Sequence, residues 1–250
     1  MHNSLKLFKK VPIFSFGLIC LALTCGCGNR ITTRTIDKSY ETDTVFVDAK
    51  IPQFYGFSSK SMEAALNEEI ESLVSSHLSA FNKDAKKTGD KSQFTLEVIE
   101  HYNKNNFFSA VIQINTNVGS SKKNSFRITK NIDTKNCLPL NFCDLFEDDS
   151  YIDMINARLM EFVEKNPEKY TGLWEKPQII TNQPFYIDRE NIVLFYPPYE
   201  LSYYERGFVE IPLSAKDMSG YLKPEYRRLC GGGEAETQAT GISPENDLIK

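Results

Sequence analysis

Between Lys60 and Lys86 a stripe of Met62, Leu66, Ile70, Leu73, Val74, His77, Phe81 and Ala85 recurs at three- and four-residue spacing, with acids and lysines between. That period predicts one amphipathic helix, stopping near Gly89. Before it, TVFVDAKIPQFYG alternates as a strand does, and Pro52 suits an edge or strand end. After it come three alternating runs, SQFTLEVIEHYN, FFSAVIQINTNV and SFRITKNIDT. In the second, Phe108, Ala110, Ile112 and Ile114 share a face; in the first and third, Phe94, Leu96, Val98 and Phe126, Ile128, Ile132 do. Short polar turns, one of them NKNN, make the three runs an antiparallel meander.

The connector LPLNFCDLF leads into a second helix, EDDSYIDMINARLMEFVEK, with Tyr151, Ile155, Leu159, Phe162 and Val163 as its buried stripe. Glu147, Asp148, Asp149 and Asp153 crowd its start, where acids complement the helix dipole at about 0.3–1 kcal/mol each. A calcium loop would need alternating Asp/Asn ligands around a central Gly, and that pattern is missing. A Pro-containing loop from Tyr170 to Gln183 follows, and PFYIDRENIVLFY then reads as a hairpin around DREN. Together these elements predict an α+β fold, an antiparallel β-sheet with two main amphipathic helices packed on it.

The first thirty residues differ in kind. MHNSLKLFKK has three lysines and no acid, and VPIFSFGLICLALTCGCG is an apolar run ending in small residues, the layout of a secretory signal. LALTCGCGN resembles a bacterial lipobox, which makes Cys27 the expected acylated residue and Cys25 the alternative. An uncleaved anchor is the competing reading, although the run is short of the roughly 20 apolar residues a span needs. Both readings place the remainder outside the cytoplasm, at a membrane. The expected divisions are a signal peptide over 1–27, a tether over 28–43, an N-terminal half over 44–146, a C-terminal half over 147–229 and a disordered tail over 230–250. The tail is expected because GGGEAETQATGISPENDLIK has almost no apolar content.

Composition is ordinary for a globular protein, 41% hydrophobic and 25% charged. Cleavage at Cys27 would remove Lys6, Lys9 and Lys10, leaving 26 basic residues against 33 acids, a formal charge of −7. An acidic chain with no basic block is a poor nucleic-acid binder and suits a cationic partner. Cys137 and Cys143 bracket LPLNF, and an exported compartment permits a disulfide between them; the alternative is two small buried hydrophobes. Cys230 has no obvious partner. The remaining cysteines have no zinc-ligand spacing.

Past the signal only His77 and His101 remain, and neither a metalloprotease, a nucleophile-elbow, a P-loop nor a dinucleotide motif occurs. No catalytic, cofactor or metal residue is therefore assigned. Catalytic carboxylate pairs meet in space rather than in sequence, so the 33 acids do not exclude one.

The order of elements, with IPQFYG, the LPLNFCDLF connector and the FYI, IVLFY, PYEL, YERG and VEIPLS block, resembles the extracytoplasmic domain of RsiV-like anti-sigma factors (domain of unknown function 3298 with its partner 4163). A similar domain pair precedes the catalytic domain of PdaC-type peptidoglycan deacetylases. The resemblance runs from Thr35 to Lys223 and is most specific at Tyr199-Glu200-Leu201, Gly207 and Ile211-Pro212. It implies a non-enzymatic binding domain at the cell envelope whose ligand is lysozyme or wall glycan. The ten residues before the apolar run are too few for a sigma-binding domain, and no deacetylase metal motif follows.

Within LFYPPYELSYYERGFVEIPLS, Leu194, Tyr196, Phe208 and Ile211 are expected on the covered face of the sheet. Tyr199, Tyr203 and Tyr204, with Glu200 and Glu205, form the candidate partner-binding corner, where rigid aromatic area meets negative charge. The other readings are an envelope enzyme acting on glycan with paired carboxylates, and an accessory subunit of an envelope complex.

Overall fold

The computed structural model describes residues 30–120 and 122–230. The signal segment with Cys25 and Cys27, and the tail from Gly231, lie outside the described residues. The meander is the backbone of the fold. Strands β5 (Ser92–Lys104), β6 (Phe107–Val118) and β7 (Lys122–Asp133) pair antiparallel along nearly their full length. The β5–β6 turn is Asn105-Asn106, both at φ 54°, where asparagine tolerates the left-handed backbone of a tight hairpin. Strands β2 (Tyr40–Glu41), β3 (Val45–Asp48) and β8 (Leu138–Pro139) complete a sheet in the order β2-β3-β5-β6-β7-β8. Its one parallel pair is β3 with β5.

Helix α1 (Lys60–Thr88) covers one face of this sheet. Ser59 caps its start by accepting from the Met62 amide, and Gly89 at φ 67° ends it, donating to the Ala85 carbonyl. Its apolar stripe meets Phe94, Phe108, Ala110, Ile112 and Ile114, all completely buried. Each ring so buried contributes about 2–3 kcal/mol relative to exposure. Leu78 carries the stripe where Leu73 was expected; Leu73 is 37% exposed. His77 is half-buried against Phe126, ring centroids 4.7 Å apart, and desolvation lowers its pKa.

The opposite face of β6 changes character along its length. Phe107, Ser109 and Val111 are buried there, whereas Gln113, Asn115 and Asn117 are only half-buried. A second layer covers the buried part: β9 (Phe185–Asp188), β10 (Asn191–Tyr196) and β11 (Val209–Ser214), in the order β11-β10-β9. A buried relay pins the layers together. The Ile187 amide donates to Ser109 Oγ (2.8 Å), Ser109 Oγ donates to Asn131 Oδ1 (2.7 Å), and Asn131 Nδ2 donates to the Phe185 carbonyl (2.8 Å). Helices α2 (Tyr151–Lys165) and α3 (Pro167–Tyr170) close the far side through Tyr151, Ile155, Leu159 and Tyr170. The acids around the start of α2 are spread out: Glu147 pairs with Arg227 at 3.1 Å, and Asp148 accepts from the Ser150 amide at 2.9 Å.

Several expectations are corrected. The segment read as a tether is structured from Ile31 onward. Strand β1 (Thr32–Asp37) pairs antiparallel with β4 (Lys50–Tyr55), and Ile31, 3% exposed, joins the core. Threonine-rich polar sequence suits a strand with one open face. The TVFVDAKIPQFY run is two strands in two sheets, broken at Ala49. Cys137 and Cys143 are free thiols, not a disulfide. Cys137 packs against the α1 core, with its Sγ 2.9 Å from Ser58 Oγ, while Cys143 sits in the 3-10 turn Phe142–Leu145 and packs against the α2 core. Phe208 leaves the covered face and packs on Phe195 on the other side of the small sheet. Cys230, placed with the tail, ends the 3-10 helix Pro224–Cys230 and its thiol donates to the Ala215 carbonyl at 3.1 Å.

Candidate interaction surface

Strand β10 ends at Tyr196, which is 1% exposed and donates its hydroxyl to the Gln178 carbonyl (3.1 Å). Pro197 and Pro198 follow, and without amide hydrogens they cannot extend the ladder. The chain turns instead. The Glu200 amide donates to the Pro197 carbonyl (3.1 Å), and Tyr199 takes φ 72° at the third position, the arrangement of a type II turn that favours glycine there. Leu201, 4% exposed, anchors the far side of the turn.

A second loop is strapped to this corner. The Trp174 amide donates to the Leu201 carbonyl and its indole Nε1 donates to the Glu200 carbonyl, both at 3.0 Å. The Arg206 guanidinium donates to the Lys169 and Thr171 carbonyls. Gly207, at φ 74° and ψ −147°, then redirects the chain into β11. Only glycine occupies that region readily.

These constraints hold four aromatic rings at the surface. Tyr203 meets Trp174 edge to face at 4.9 Å, and Tyr199 lies 5.7 Å from Tyr204. Trp174, Tyr199 and Tyr203 are 45%, 65% and 67% exposed, while Tyr204 is half-buried with its hydroxyl 3.4 Å from Ser125 Oγ on β7. Glu175, Glu200 and Glu205 are exposed around the rings. Partial desolvation, and secondarily the charge of Glu175, raise the Glu200 pKa above the usual carboxylate range.

The structure thus gathers Tyr199, Glu200, Tyr203, Tyr204 and Glu205 on one corner. Trp174 and Glu175, also there, were not singled out from the sequence. The signal was available: Trp174 is the only tryptophan of the chain and sits in the predicted loop from Tyr170 to Gln183. Among the described residues, no group of three or more His, Cys, Asp or Glu side chains is placed to hold a metal ion, and no helix is long and apolar enough to cross a membrane.

Residues 143–216, which include the entire corner, match the family described as "Protein of unknown function (DUF3298)". This segment resembles the domains of that family. Over 202 residues, 76% of this chain and 70% of the relative, the sequence is 23% identical to the anti-sigma-V factor RsiV of Bacillus subtilis (strain 168). A crystal structure of a DUF3298 family member from Bacteroides fragilis NCTC 9343 superimposes with a TM-score of 0.59 at 15% identity, covering 78% of this chain and 94% of the other. One from Pseudomonas aeruginosa PAO1 gives 0.58 at 12% identity, with 78% and 96% covered. The likeness of fold therefore extends well beyond the matched segment.

Proposed function

We propose that the chain is a non-enzymatic binding module of the cell envelope, held on the outer face of the membrane by a lipid at Cys27, and that its aromatic corner takes a cationic protein partner. The observation that carries this is the exposure of Trp174, Tyr199 and Tyr203 on a backbone fixed by hydrogen bonds, with three glutamates around them. Large, pre-positioned aromatic area is what binding hot spots use, and rim carboxylates steer a basic partner. The likeness to RsiV supports an extracytoplasmic setting for such a domain. It also makes lysozyme, a basic envelope-directed protein, the first partner to test.

The test is a calorimetric titration of the full chain with hen-type lysozyme at two salt concentrations. Micromolar or tighter binding that weakens with salt, and falls at least tenfold in Tyr203→Ala and Glu205→Ala, supports the reading. Absence of heat at both salts removes lysozyme as the partner. A second reading, a glycan hydrolase, draws on the raised pKa of Glu200 beside Glu175. It requires release of reducing sugar ends from peptidoglycan, abolished in Glu200→Gln.

A further inference from the structure

The open part of the β6 face forms a recess that borders the corner at Tyr204. Cross-strand registers place three polar rows on it. Gln93, Asn117 and Lys123 lie abreast, then Thr95, Asn115 and Ser125, then Glu97, Gln113 and Arg127. Directly paired residues project to the same side of a sheet, so these rows make a continuous polar floor. Phe46, paired with Gln93 and 41% exposed, flanks one edge, and Tyr204, held near Ser125, walls the other. Three strand spacings separate β3 from β7, a floor about 14 Å wide. The recess beside Tyr204 has a volume of about 280 Å³, and Lys123 is the one charged side chain among those lining it.

Asn117 gives the recess a specific demand. Its Oδ1 is buried with no donor in reach, one of two such side-chain atoms among the described residues. Such an atom is costly to leave unpaired, and a ligand N–H or O–H would satisfy it. Nearby, Asn115 Oδ1 already accepts from Ser125 Oγ (2.8 Å) and Gln113 Nε2 (3.3 Å), so the acceptor left over is that of Asn117.

We propose that this recess binds a neutral oligosaccharide, with a sugar face against Tyr204 and a hydroxyl or acetamido N–H donated to Asn117 Oδ1. Neutral amides and hydroxyls beside an aromatic ring match groups that both donate and accept around a flat apolar face. A peptide would be taken by a free strand edge through its main chain. Here β6 is paired along both of its edges, so over the floor only side chains face the ligand, while the outer edge of β7 over 122–130 is open and a peptide bound there would shift β7 main-chain amides instead. The recess shares Tyr204 with the corner but not Asn117 or Gln93, so variants at those two positions test it apart from the corner's protein partner.

The experiment is a titration of the full, ¹⁵N-labelled chain with tetramers of N-acetylglucosamine and of glucose, followed by the side-chain amide resonances. Saturable shifts of Gln93, Asn115 and Asn117 with either tetramer, at a Kd of about 0.1–1 mM, are expected. Asn117→Ala should weaken binding at least tenfold with the melting temperature unchanged or raised, since it removes an unpaired acceptor. Tyr204→Ala should weaken binding as well. Shifts confined to other residues, or no shifts at 10-fold excess over about 1 mM, overturn the proposal. Retained lysozyme binding in Asn117→Ala would separate this site from the corner.

Discussion

Asn67 on α1 closes both main-chain hydrogen bonds of Phe54 on β4. The Phe54 amide donates to Asn67 Oδ1 at 2.8 Å, and Asn67 Nδ2 donates to the Phe54 carbonyl at 3.0 Å. A helix side chain stands where a neighbouring strand would be, so the edge of β4 is satisfied inside the core. One turn earlier Glu63 continues the pattern, accepting from the Gly56 (2.8 Å) and Phe57 (3.1 Å) amides. Burial alone would raise the Glu63 pKa, but Lys60 and these two amides outweigh it and leave it below the ordinary value.

Asn67→Leu keeps the volume and deletes both bonds, leaving a buried N–H and a buried C=O without partners. The expected loss is about 2–4 kcal/mol. It should be read as a lower urea midpoint with an unchanged slope, the mark of a stability change without a change in the surface exposed.

Tyr199 and Gly207 bracket the corner with opposite backbone economies. Gly207→Ala meets no atom within 4 Å of the new Cβ, so its cost is conformational alone, about 1–3 kcal/mol. Tyr199 bears a bulky side chain at φ 72°, where L residues are strained by about 1–2 kcal/mol. Tyr199→Gly should therefore leave stability unchanged or raise it, even after the extra chain entropy of glycine is counted. If the corner binds as proposed, the same variant loses affinity. A large drop in stability for Tyr199→Gly would show that the ring holds the fold.

Arg127 joins the layers beneath the corner. Its guanidinium pairs with Glu210, its Nε donates to Gln113 Oε1 (2.8 Å), and it stacks over Phe208 at 4.2 Å. Glu210 Oε1 also accepts from the Tyr186 hydroxyl at 3.0 Å. Arg127→Ala removes the charge partner of a partly buried carboxylate and the cover of the Phe208 and Phe195 rings, a loss of about 2–3 kcal/mol. Arg127→Lys restores charge but neither the fork nor the stacking, so it should recover less than half. Thermal melts of the two variants and of Glu210→Gln give the comparison.

How much of this was legible beforehand depended on the range of the determining contact. The meander and both long helices follow from local period, since β5–β7 and α1 each repeat one pattern over more than ten residues. The five residues expected to form the corner lie together because they are close in sequence. Strand β1 was missed because its threonines are strand-like only once β4 lies beside them. Glu63 and Asn67 lie outside the predicted apolar stripe, because sequence does not show backbone groups 6–13 residues away in need of donors and acceptors. Trp174 joins the corner through contacts made in three dimensions, with the Glu200 carbonyl and the Tyr203 ring, and no spacing rule marks them.

The tyrosines divide into two populations, and alkali should separate them. Tyr170, Tyr186 and Tyr196 are buried, and each hydroxyl donates to a fixed acceptor: the Glu210 carbonyl (2.6 Å), Glu210 Oε1 and the Gln178 carbonyl. Desolvation, with the nearby Glu210 charge second, pushes the Tyr170 pKa up to about 12; burial raises Tyr186 and Tyr196 further. These phenols hold their protons in the folded chain above pH 10, where the unfolded chain releases them. The folded state then binds more protons, so stability falls as pH rises from about 10 toward the folded values. The full contribution is present below pH 10. Tyrosinate absorbance near 295 nm should rise in a late, cooperative step that coincides with loss of the far-ultraviolet dichroism. Tyr170→Phe, which keeps the ring and removes the ionising group, should lessen the alkaline slope of stability between pH 10 and 12. An alkaline slope identical to that of the parent would mean that Tyr170 ionises without unfolding and that its burial does not oppose the charge.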